Sequence, residues 1–233
     1  MDNTKENNSL ENLEVKKHKE RKVFIVGGNN DYANWLIPIG FSITKNINEC
    51  DLIFFTGGED VSPQIYGEQN GQYTHFNERR DDKELQIFED HPNKNKLGVC
   101  RGGQFLTVAN GYKLVQHSSH PSWHNISTYD GQTLLASSTH HQQFLLNPNR
   151  NYRAREFDLI GWAENLSGIH LNGKNKDYYF DIDYKEPEIV LFYNDDENNS
   201  KSLAIQMHVE FFDLDHPTVK YMQNLIINTL FTD

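Results

Sequence analysis

Three short apolar runs, each followed by glycine pairs, divide the first half of the chain at regular intervals. They are VFIVGG (23–28), DLIFFTGGED (51–60) and KLGVCRGG (96–103). Continuous apolar runs of this length are typical of parallel strands that are covered on both faces. Helical patterns alternate with them, in DDKELQIFED (81–90) and GGQFLTVAN (102–110). This alternation predicts an α/β fold: a single doubly wound domain with a central, mostly parallel sheet and helices on both faces.

The second half of the chain predicts further strands and a closing helix. The strand candidates are YKLVQH (112–117), EIVLFY (188–193) and SLAIQMH (202–208). Residues 215–231 predict an amphipathic helix with Pro217 in its first turn. The polar stretches 163–187 and 194–201 predict loops. Residues 1–21 are charged and asparagine-rich, so we expect a polar, flexible leader before one domain that spans residues 22–233.

The composition narrows the class of protein. A hydrophobic content of 36% in 233 residues provides a real core, which argues against global disorder. The net charge of −11 argues against broad contact with nucleic acid or an anionic membrane, since both need a basic surface. No apolar stretch approaches the 18 residues of a membrane span, and the N-terminus lacks a secretion signal pattern. Cys50 and Cys100 match no disulfide framework, so we expect a cytoplasmic protein.

Cys100 stands at the predicted junction between a strand and a helix. In parallel sheets, reactive groups lie beyond the carboxyl ends of the strands, where a sharp turn can expose a nucleophile. Gly102 and Gly103 leave room for another backbone or a substrate, and the helix N-terminus favours the thiolate. The alternative is a buried structural cysteine, which is the commoner role for a single cysteine.

His208 and Glu210 offer a base and an orienting acid for such a thiol. His208 ends the apolar run SLAIQMH, and an extended conformation through Val209 would place both side chains on the same side. The alternative is a strand-end histidine beside a solvated acid. Both signals occur at predicted strand ends, which favours the catalytic interpretation.

The residues resemble those of class I glutamine amidotransferases, and within them the gamma-glutamyl hydrolase-type branch, which includes gamma-glutamyl-gamma-aminobutyrate hydrolases. The stretches that carry the resemblance occur in the family's order: FTGGEDVSPQIYGE (55–68), NERRDDKEL (77–85), GVCRGGQFLTVANGYKLVQH (98–117), STHHQQ (138–143) and AIQMHVEFF (204–212). The resemblance spans residues 23–231. One departure is Val209, which stands where the family usually has proline.

The resemblance implies a role for each matching residue. Cys100 would be the nucleophile, His208 the base and Glu210 its orienting group, with backbone N–H groups of Gly58 and Arg101 forming an oxyanion hole. Gln104, His141 and Gln142 would contact the substrate, and Tyr66 and Glu68 would line the mouth of the pocket.

The resemblance therefore implies a cysteine-dependent hydrolase that cleaves a gamma-glutamyl amide through a glutamyl thioester, without a cofactor. Two alternatives stay open: a glutaminase subunit that supplies ammonia to a partner synthetase, and a catalytically silent module of the same fold. A homodimer is also compatible with the sequence. His117, His120 and His124 have spacings that a metal could use, but no cysteine or acid completes a ligand set, so we expect no metal site.

Overall fold

A computed structural model describes residues 19–119, 122–149, 153–164, 170–172, 176–177, 184–195 and 199–231. The strands are, in chain order, β1 (Arg21–Val26), β2 (Phe41–Thr44), β3 (Leu52–Phe55), β4 (Asn95–Val99), β5 (Lys113–Val115), β6 (His117–Ser118), β7 (Trp123–Thr128), β8 (Thr133–Ser137), β9 (Gln143–Leu145), β10 (Phe157–Ala163), β11 (His170–Asn172), β12 (Lys176–Asp177), β13 (Pro187–Asp195) and β14 (Ser200–Ile205). The α-helices are α1 (Glu78–Asp90), α2 (Arg101–Ala109) and α3 (Pro217–Leu230), and the 3-10 helices are Asn30–Ile39, Ile47–Glu49 and Val209–Phe211. The expected leader falls mostly on residues 1–18, which lie outside the described residues.

A nine-stranded sheet forms the centre of the molecule. Its strands follow the order β2-β1-β3-β4-β14-β13-β10-β7-β8. The five strands from β2 to β14 are parallel, and the four strands from β13 to β8 extend the sheet by antiparallel pairing. Two small sheets, β12-β11-β6 and β5-β9, lie outside it.

Helices cover both faces of the central sheet because its parallel strands are apolar on both sides. Phe54 in β3 belongs to a core cluster that includes Trp35 of the first 3-10 helix and Met222 of α3. Its neighbour Phe55 belongs to the cluster on the opposite face, with residues of α1 and α2 such as Phe105. The predicted α/β fold with helices on both faces is confirmed.

The structure differs from the sequence-based expectation mainly in the second half of the chain, where β7, β8 and β10 were not predicted and the expected loop 194–201 contains the end of β13 and the start of β14. The stretch 163–187, expected to be a loop, contains the short strands β11 and β12, and β13 begins at Pro187. The strand expected to run to His208 ends three residues earlier, at Ile205. His208 therefore belongs to a turn and not to a strand.

Among the described residues, no helix has both the length and the apolar character that a membrane crossing requires.

Candidate active site

Three neighbouring parallel strands bring the predicted site residues to one edge of the sheet. β4 lies between β3 and β14, with Phe55 opposite Gly98 and Val99 opposite Ile205. The chain leaves β4 at Cys100, whose N–H donates to the Ile205 carbonyl over 2.8 Å. The turn that follows β3 contains Gly58, and the turn that follows β14 contains His208. The carboxyl ends of the strands thus form a common site, as expected for an open parallel sheet.

Cys100 adopts a strained backbone conformation at the junction of β4 and α2. Its φ is 53° and its ψ is −116°, a region that residues with a side chain rarely occupy. The sharp turn requires α2 to approach the sheet closely. A Cβ added to Gly102 would overlap the Phe55 carbonyl of β3, and one added to Gly103 would crowd the Ile205 carbonyl of β14. The two glycines therefore permit the turn that presents the thiol.

His208 lies between the thiol and a carboxylate. Its Nδ1 is 2.7 Å from Oε1 of Glu210, and its imidazole lines the same cavity as Cys100, with which it interacts electrostatically. Because Nδ1 is engaged by Glu210, Nε2 is the ring nitrogen that remains for an interaction with the sulfur. The expected extended conformation through Val209 is not found, since Val209–Phe211 forms a 3-10 turn that begins directly after His208. The expected contact is present, but the turn creates it and not the alternation of a strand.

The surroundings of His208 hold the ring in place. The Ser137 hydroxyl at the end of β8 donates to the His208 carbonyl over 2.8 Å. The ring of Phe211 stacks on the imidazole, with centroids 4.5 Å apart and planes inclined by 6°. The imidazole consequently has little rotational freedom.

The electrostatics of this group favour a charged imidazole. Burial lowers the pKa of His208, but hydrogen bonds and charge interactions with Cys100 and Glu210 raise it, and the result is a pKa of about 10. The balance indicates that the positive charge of the ring is stabilised on both sides.

The glycine turn after β3 is held by an arginine from α1. Nη2 of Arg80 donates to the carbonyl oxygens of Thr56 and Gly57, each over 3.0 Å. The φ of Gly58 is 146°, in a region that disfavours any side chain. Within the part of the chain that the structure describes, the Gly58 N–H makes no backbone hydrogen bond.

Arg101 turns its side chain away from the cavity and into the core. Its guanidinium is 1% exposed and binds the carboxylates of Asp81 and Glu84 in α1. Burial and the nearby charge of Arg80 lower the pKa of Arg101 to about 10, and burial raises the pKa of Asp81. Only the backbone N–H of Arg101 is left for the site; it belongs to the first helical turn, where N–H groups have no intrahelical acceptor.

A cavity of about 400 Å³ opens next to Cys100 and His208. Of the residues expected at the site from sequence, Gly58, Gln104 and His141 also line it. Glu59, Asp60 and His75 line it as well and were not singled out from the sequence. Glu59 and Asp60 follow the Gly57-Gly58 turn directly, so acidic residues at the carboxyl end of a strand were the available signal. Thr139 and His140, which precede His141, complete the lining.

Three residues expected at the pocket lie elsewhere, and these expectations are corrected. Tyr66 is fully buried in the core on the α2 side, because its ring packs among apolar neighbours. Gln142 is also fully buried, and its side-chain oxygen accepts from the Val61 N–H over 3.3 Å. Glu68 pairs with Lys113. None of the three lines the cavity beside Cys100.

His141 connects the cavity to a chain of polar contacts. Its Nε2 is 3.0 Å from Asp60, and its Nδ1 is 3.1 Å from Nδ1 of His117. Burial and the neighbouring His141 lower the pKa of His117. The ring of His141 is therefore oriented, with one nitrogen beside a carboxylate that also lines the cavity.

The histidines that had metal-like spacing separate in the structure. His117 contacts His141, whereas His124 is buried beside Glu188. His120 lies outside the described residues. Across the described ranges, no group of three or more histidine, cysteine or acidic side chains could hold a metal ion.

Two kinds of curated relative are similar to this chain, and one of them carries an amidotransferase-like description. The chain is 36% identical over 118 residues to the glutamine amidotransferase-like protein YvdE of Lactococcus lactis, a stretch that covers 48% of this chain and 50% of YvdE. The chain thus spans half the length of that relative. It is 29% identical over 163 residues to protein NtpR of Enterococcus hirae, which covers 58% of this chain and 68% of NtpR.

The fold is that of class I glutamine amidotransferase-like proteins. A structure described as one subunit of a GMP synthase from Thermoplasma acidophilum superposes with a TM-score of 0.56 and 15% identity, covering 91% of this chain and 94% of that one. A glutamine amidotransferase from Thermotoga maritima superposes with a TM-score of 0.50 and 13% identity, covering 91% of this chain and 95% of that one.

A family model matches the part of the sequence that contains Gly58 and Cys100. His208 and Glu210 lie C-terminal to the matched residues. The peptidase C26 model matches residues 33–154, more than half of the chain. The chain belongs to the peptidase C26 family.

Proposed function

We propose that the protein is a cysteine-dependent hydrolase that cleaves a gamma-glutamyl amide and releases glutamate and a small amine. One observation carries this proposal: the contact chain Cys100–His208–Glu210 ends, at its sulfur, on the wall of a cavity. A nucleophile, a base and an orienting acid in this order are what amide cleavage through a thioester needs.

The reaction begins with attack by the Cys100 thiolate on the carbonyl carbon of the amide. The carbonyl oxygen becomes an oxyanion, for which the N–H groups of Gly58 and Arg101 are the proposed donors. Collapse of this intermediate breaks the C–N bond, and His208 transfers its proton to the departing amine. The glutamyl group then remains on the sulfur as a thioester.

A water molecule then hydrolyses the glutamyl thioester. His208, now neutral, takes a proton from a water molecule that attacks the thioester carbonyl. The second tetrahedral intermediate releases glutamate and returns the thiolate beside a protonated imidazole. Glu210 keeps Nδ1 of His208 protonated throughout, because its carboxylate accepts from that nitrogen over 2.7 Å.

The cavity suits the glutamyl part of such a substrate. Its volume of about 400 Å³ is in the range of small-molecule sites. We propose that Gln104 and His141 hydrogen-bond the glutamyl group, and that the carboxylates of Glu59 and Asp60 accept from its α-ammonium group. The attraction between these carboxylates and the ammonium group, in a partly enclosed cavity, favours a substrate orientation with the α-ammonium group beside Glu59 and Asp60.

The test is turnover by the purified protein on a panel of gamma-glutamyl amides and on L-glutamine. We expect hydrolysis of at least one gamma-glutamyl amide by the protein alone, and no turnover by Cys100→Ala. Cys50→Ala is the matched control, because Cys50 is the other free cysteine and lies outside the cavity. Turnover by Cys100→Ala at the wild-type rate would reject the mechanism.

Two other outcomes would favour the alternatives. Activity on L-glutamine only in the presence of a second protein would support a role in supplying ammonia to a synthetase, which is compatible with fold neighbours such as the GMP synthase protein. A Cys100 that does not react with a glutamine-analogue electrophile at neutral pH would support a catalytically silent module.

A further inference from the structure

We propose that Arg80 is a positioning residue that fixes the Gly57–Gly58 peptide with its N–H directed at the oxyanion. This inference rests on the proposed function, since it concerns the oxyanion hole of that reaction. Arg80 itself does not line the cavity and acts only through the glycine turn.

The orientation follows from peptide geometry. In a trans peptide the carbonyl oxygen and the N–H of the next residue point in opposite directions. Arg80 Nη2 binds the Gly57 oxygen over 3.0 Å, on the side of α1. The Gly58 N–H therefore points away from Arg80, while Gly58 itself lines the cavity with Cys100. Rotation of this peptide would turn a carbonyl dipole towards the developing negative charge.

Contacts of all three nitrogens fix the guanidinium of Arg80, which can therefore hold the glycine turn in one orientation. Its Nε donates to Glu84 over 2.8 Å, and its Nη1 donates to Glu59 over 3.2 Å. The remaining nitrogen, Nη2, donates to the carbonyl oxygens of both Thr56 and Gly57. A lysine ammonium on a flexible stem cannot reproduce this planar arrangement of donors.

Glu84 connects the two proposed oxyanion donors. Its Oε1 accepts from Arg80, and its Oε2 accepts from Arg101. Arg80 orients the turn that carries the Gly58 N–H, and the buried Arg101 side chain anchors the residue that supplies the second N–H. One turn of α1 thus sets the positions of both donors.

Glycine at position 58 is the steric counterpart of this arrangement. A Cβ built on Gly58 would overlap Nη1 of Arg80. The close approach of the guanidinium to the turn therefore requires the absence of a side chain at this position.

If Arg80 had a purely structural role, its removal would lower the stability of the protein and would not act specifically on kcat. Its partner Glu59 is 43% exposed, and the buried Glu84 keeps its second partner Arg101 when Arg80 is removed, so no buried carboxylate is left without a cation. We expect Arg80→Ala to fold, with its main defect in kcat and a small change in KM.

The experiment compares Arg80→Ala, Arg80→Lys and Arg79→Ala in turnover and in alkylation by iodoacetamide. Alkylation of Cys100 passes through no oxyanion, so it reports the thiol and His208 alone. We expect Arg80→Ala to lose about 10²-fold in kcat, as for loss of one oxyanion donor, with an alkylation rate within about twofold of wild type. Arg80→Lys recovers part of the loss, and the exposed neighbour Arg79→Ala matches wild type in both assays.

Two kinetic outcomes would overturn the proposal: kcat of Arg80→Ala within about threefold of wild type, or equal losses in turnover and alkylation. A crystal structure of Arg80→Ala gives a test that needs no substrate. A rotated Gly57–Gly58 peptide in this variant supports the positioning role of Arg80, and an unchanged peptide rejects it. If wild-type protein hydrolyses nothing in the panel, the proposed function fails, while this structural result still decides the role of Arg80 at the turn.

Discussion

Nδ1 of His208 lies 2.7 Å from Oε1 of Glu210, although a single residue, Val209, separates the two along the chain. The contact depends on the 3-10 turn Val209–Phe211, which follows the end of β14. Val209 is fully buried in the core, so the turn is anchored between the two polar side chains. The imidazole is thereby fixed between a carboxylate and a thiol, and its charged form is stabilised.

Replacement of Glu210 by glutamine should shift the pH dependence of turnover. The pKa of His208 is raised to about 10, in part by Glu210, and proton transfer to the amine needs the protonated ring. Removal of the negative charge destabilises the imidazolium, so the pKa of His208 falls. We expect the alkaline limb of kcat/KM to lie near pH 10 in wild type and at lower pH in Glu210→Gln.

The matched control is Glu49→Gln, which removes an exposed carboxylate that pairs with Lys22. Its pH profile should coincide with that of wild type. His208→Asn should lose about 10²–10⁴ in rate at every pH, because it removes the proposed general acid and base. An alkaline limb that stays in place in Glu210→Gln would show that the carboxylate does not act on His208.

The strain at Cys100 gives a stability prediction that is independent of substrate. A non-glycine residue in such a conformation costs about 1–3 kcal/mol, whereas glycine costs about 0.5–1 kcal/mol in chain entropy. We expect Cys100→Gly to exceed Cys100→Ala in free energy of unfolding by about 1 kcal/mol, measured by urea denaturation. Both variants should be inactive. Greater stability of the alanine variant would show that the backbone relaxes and stores no strain.

Most of the parallel half of the fold was predictable because β1, β3 and β4 contain continuous apolar runs, whereas the edge strand β2 (FSIT) was missed. The runs that became β1, β3 and β4 are buried on both faces, and this leaves a clear signal in the sequence. In the antiparallel extension, β13 was predicted from EIVLFY (188–193), but β7, β8 and β10 were missed for the opposite reason. In β7 the inward positions include His124 and Thr128, so the strand shows no apolar alternation.

The contacts of the proposed catalytic residues were predictable from chemistry at strand ends, but the supporting contacts were not. Cys100 and His208 each follow a predicted strand, and neighbouring parallel strands bring such positions together. The contact of Arg80 with Gly57 joins a helix and a turn that are 23 residues apart. No periodicity relates them. Tyr66 was wrongly expected at the mouth of the pocket. Its sequence neighbours identify a motif, but they do not show which side chains of the turn are buried.

His141 gives a prediction about substrate affinity. Its ring lines the cavity and is oriented by Asp60 over 3.0 Å. Loss of one hydrogen bond to a charged group, about 1.5 kcal/mol or more, should raise KM at least about tenfold in His141→Ala. We expect kcat to stay within about threefold, since the proposed contact would be equally strong in the ground and transition states. His91→Ala, outside the cavity, is the control; a fall in kcat at unchanged KM would assign His141 to the chemical step.

Substitution of Gly58 by alanine should impair turnover far more than its backbone conformation alone explains. The added Cβ overlaps Arg80 and displaces either the guanidinium or the turn. Loss of one oxyanion donor corresponds to about 10²–10³ in kcat. Gly131→Ala is the matched control: Gly131 has a φ of 81°, and nothing lies within 4 Å of an added Cβ. Both variants should lose some stability, but only Gly58→Ala should lose turnover; equal kinetics in the two would exclude the oxyanion role.

The buried cluster of Asp81, Glu84 and Arg101 predicts a large loss of stability for a nearly isosteric change. Arg101 is 1% exposed, and Asp81 also accepts from the Ser62 N–H over 3.0 Å. Asp81→Asn keeps the shape but leaves the guanidinium with one carboxylate fewer in a buried site. Removal of one partner from a buried ion pair costs about 3–5 kcal/mol, so we expect a loss of at least about 3 kcal/mol in free energy of unfolding. Asp82→Asn, at the exposed neighbouring position, should stay within about 0.5 kcal/mol of wild type. If the two variants were equally stable, Glu84 alone would be a sufficient partner for the Arg101 guanidinium, and Asp81 would not be needed to anchor Arg101 to α1.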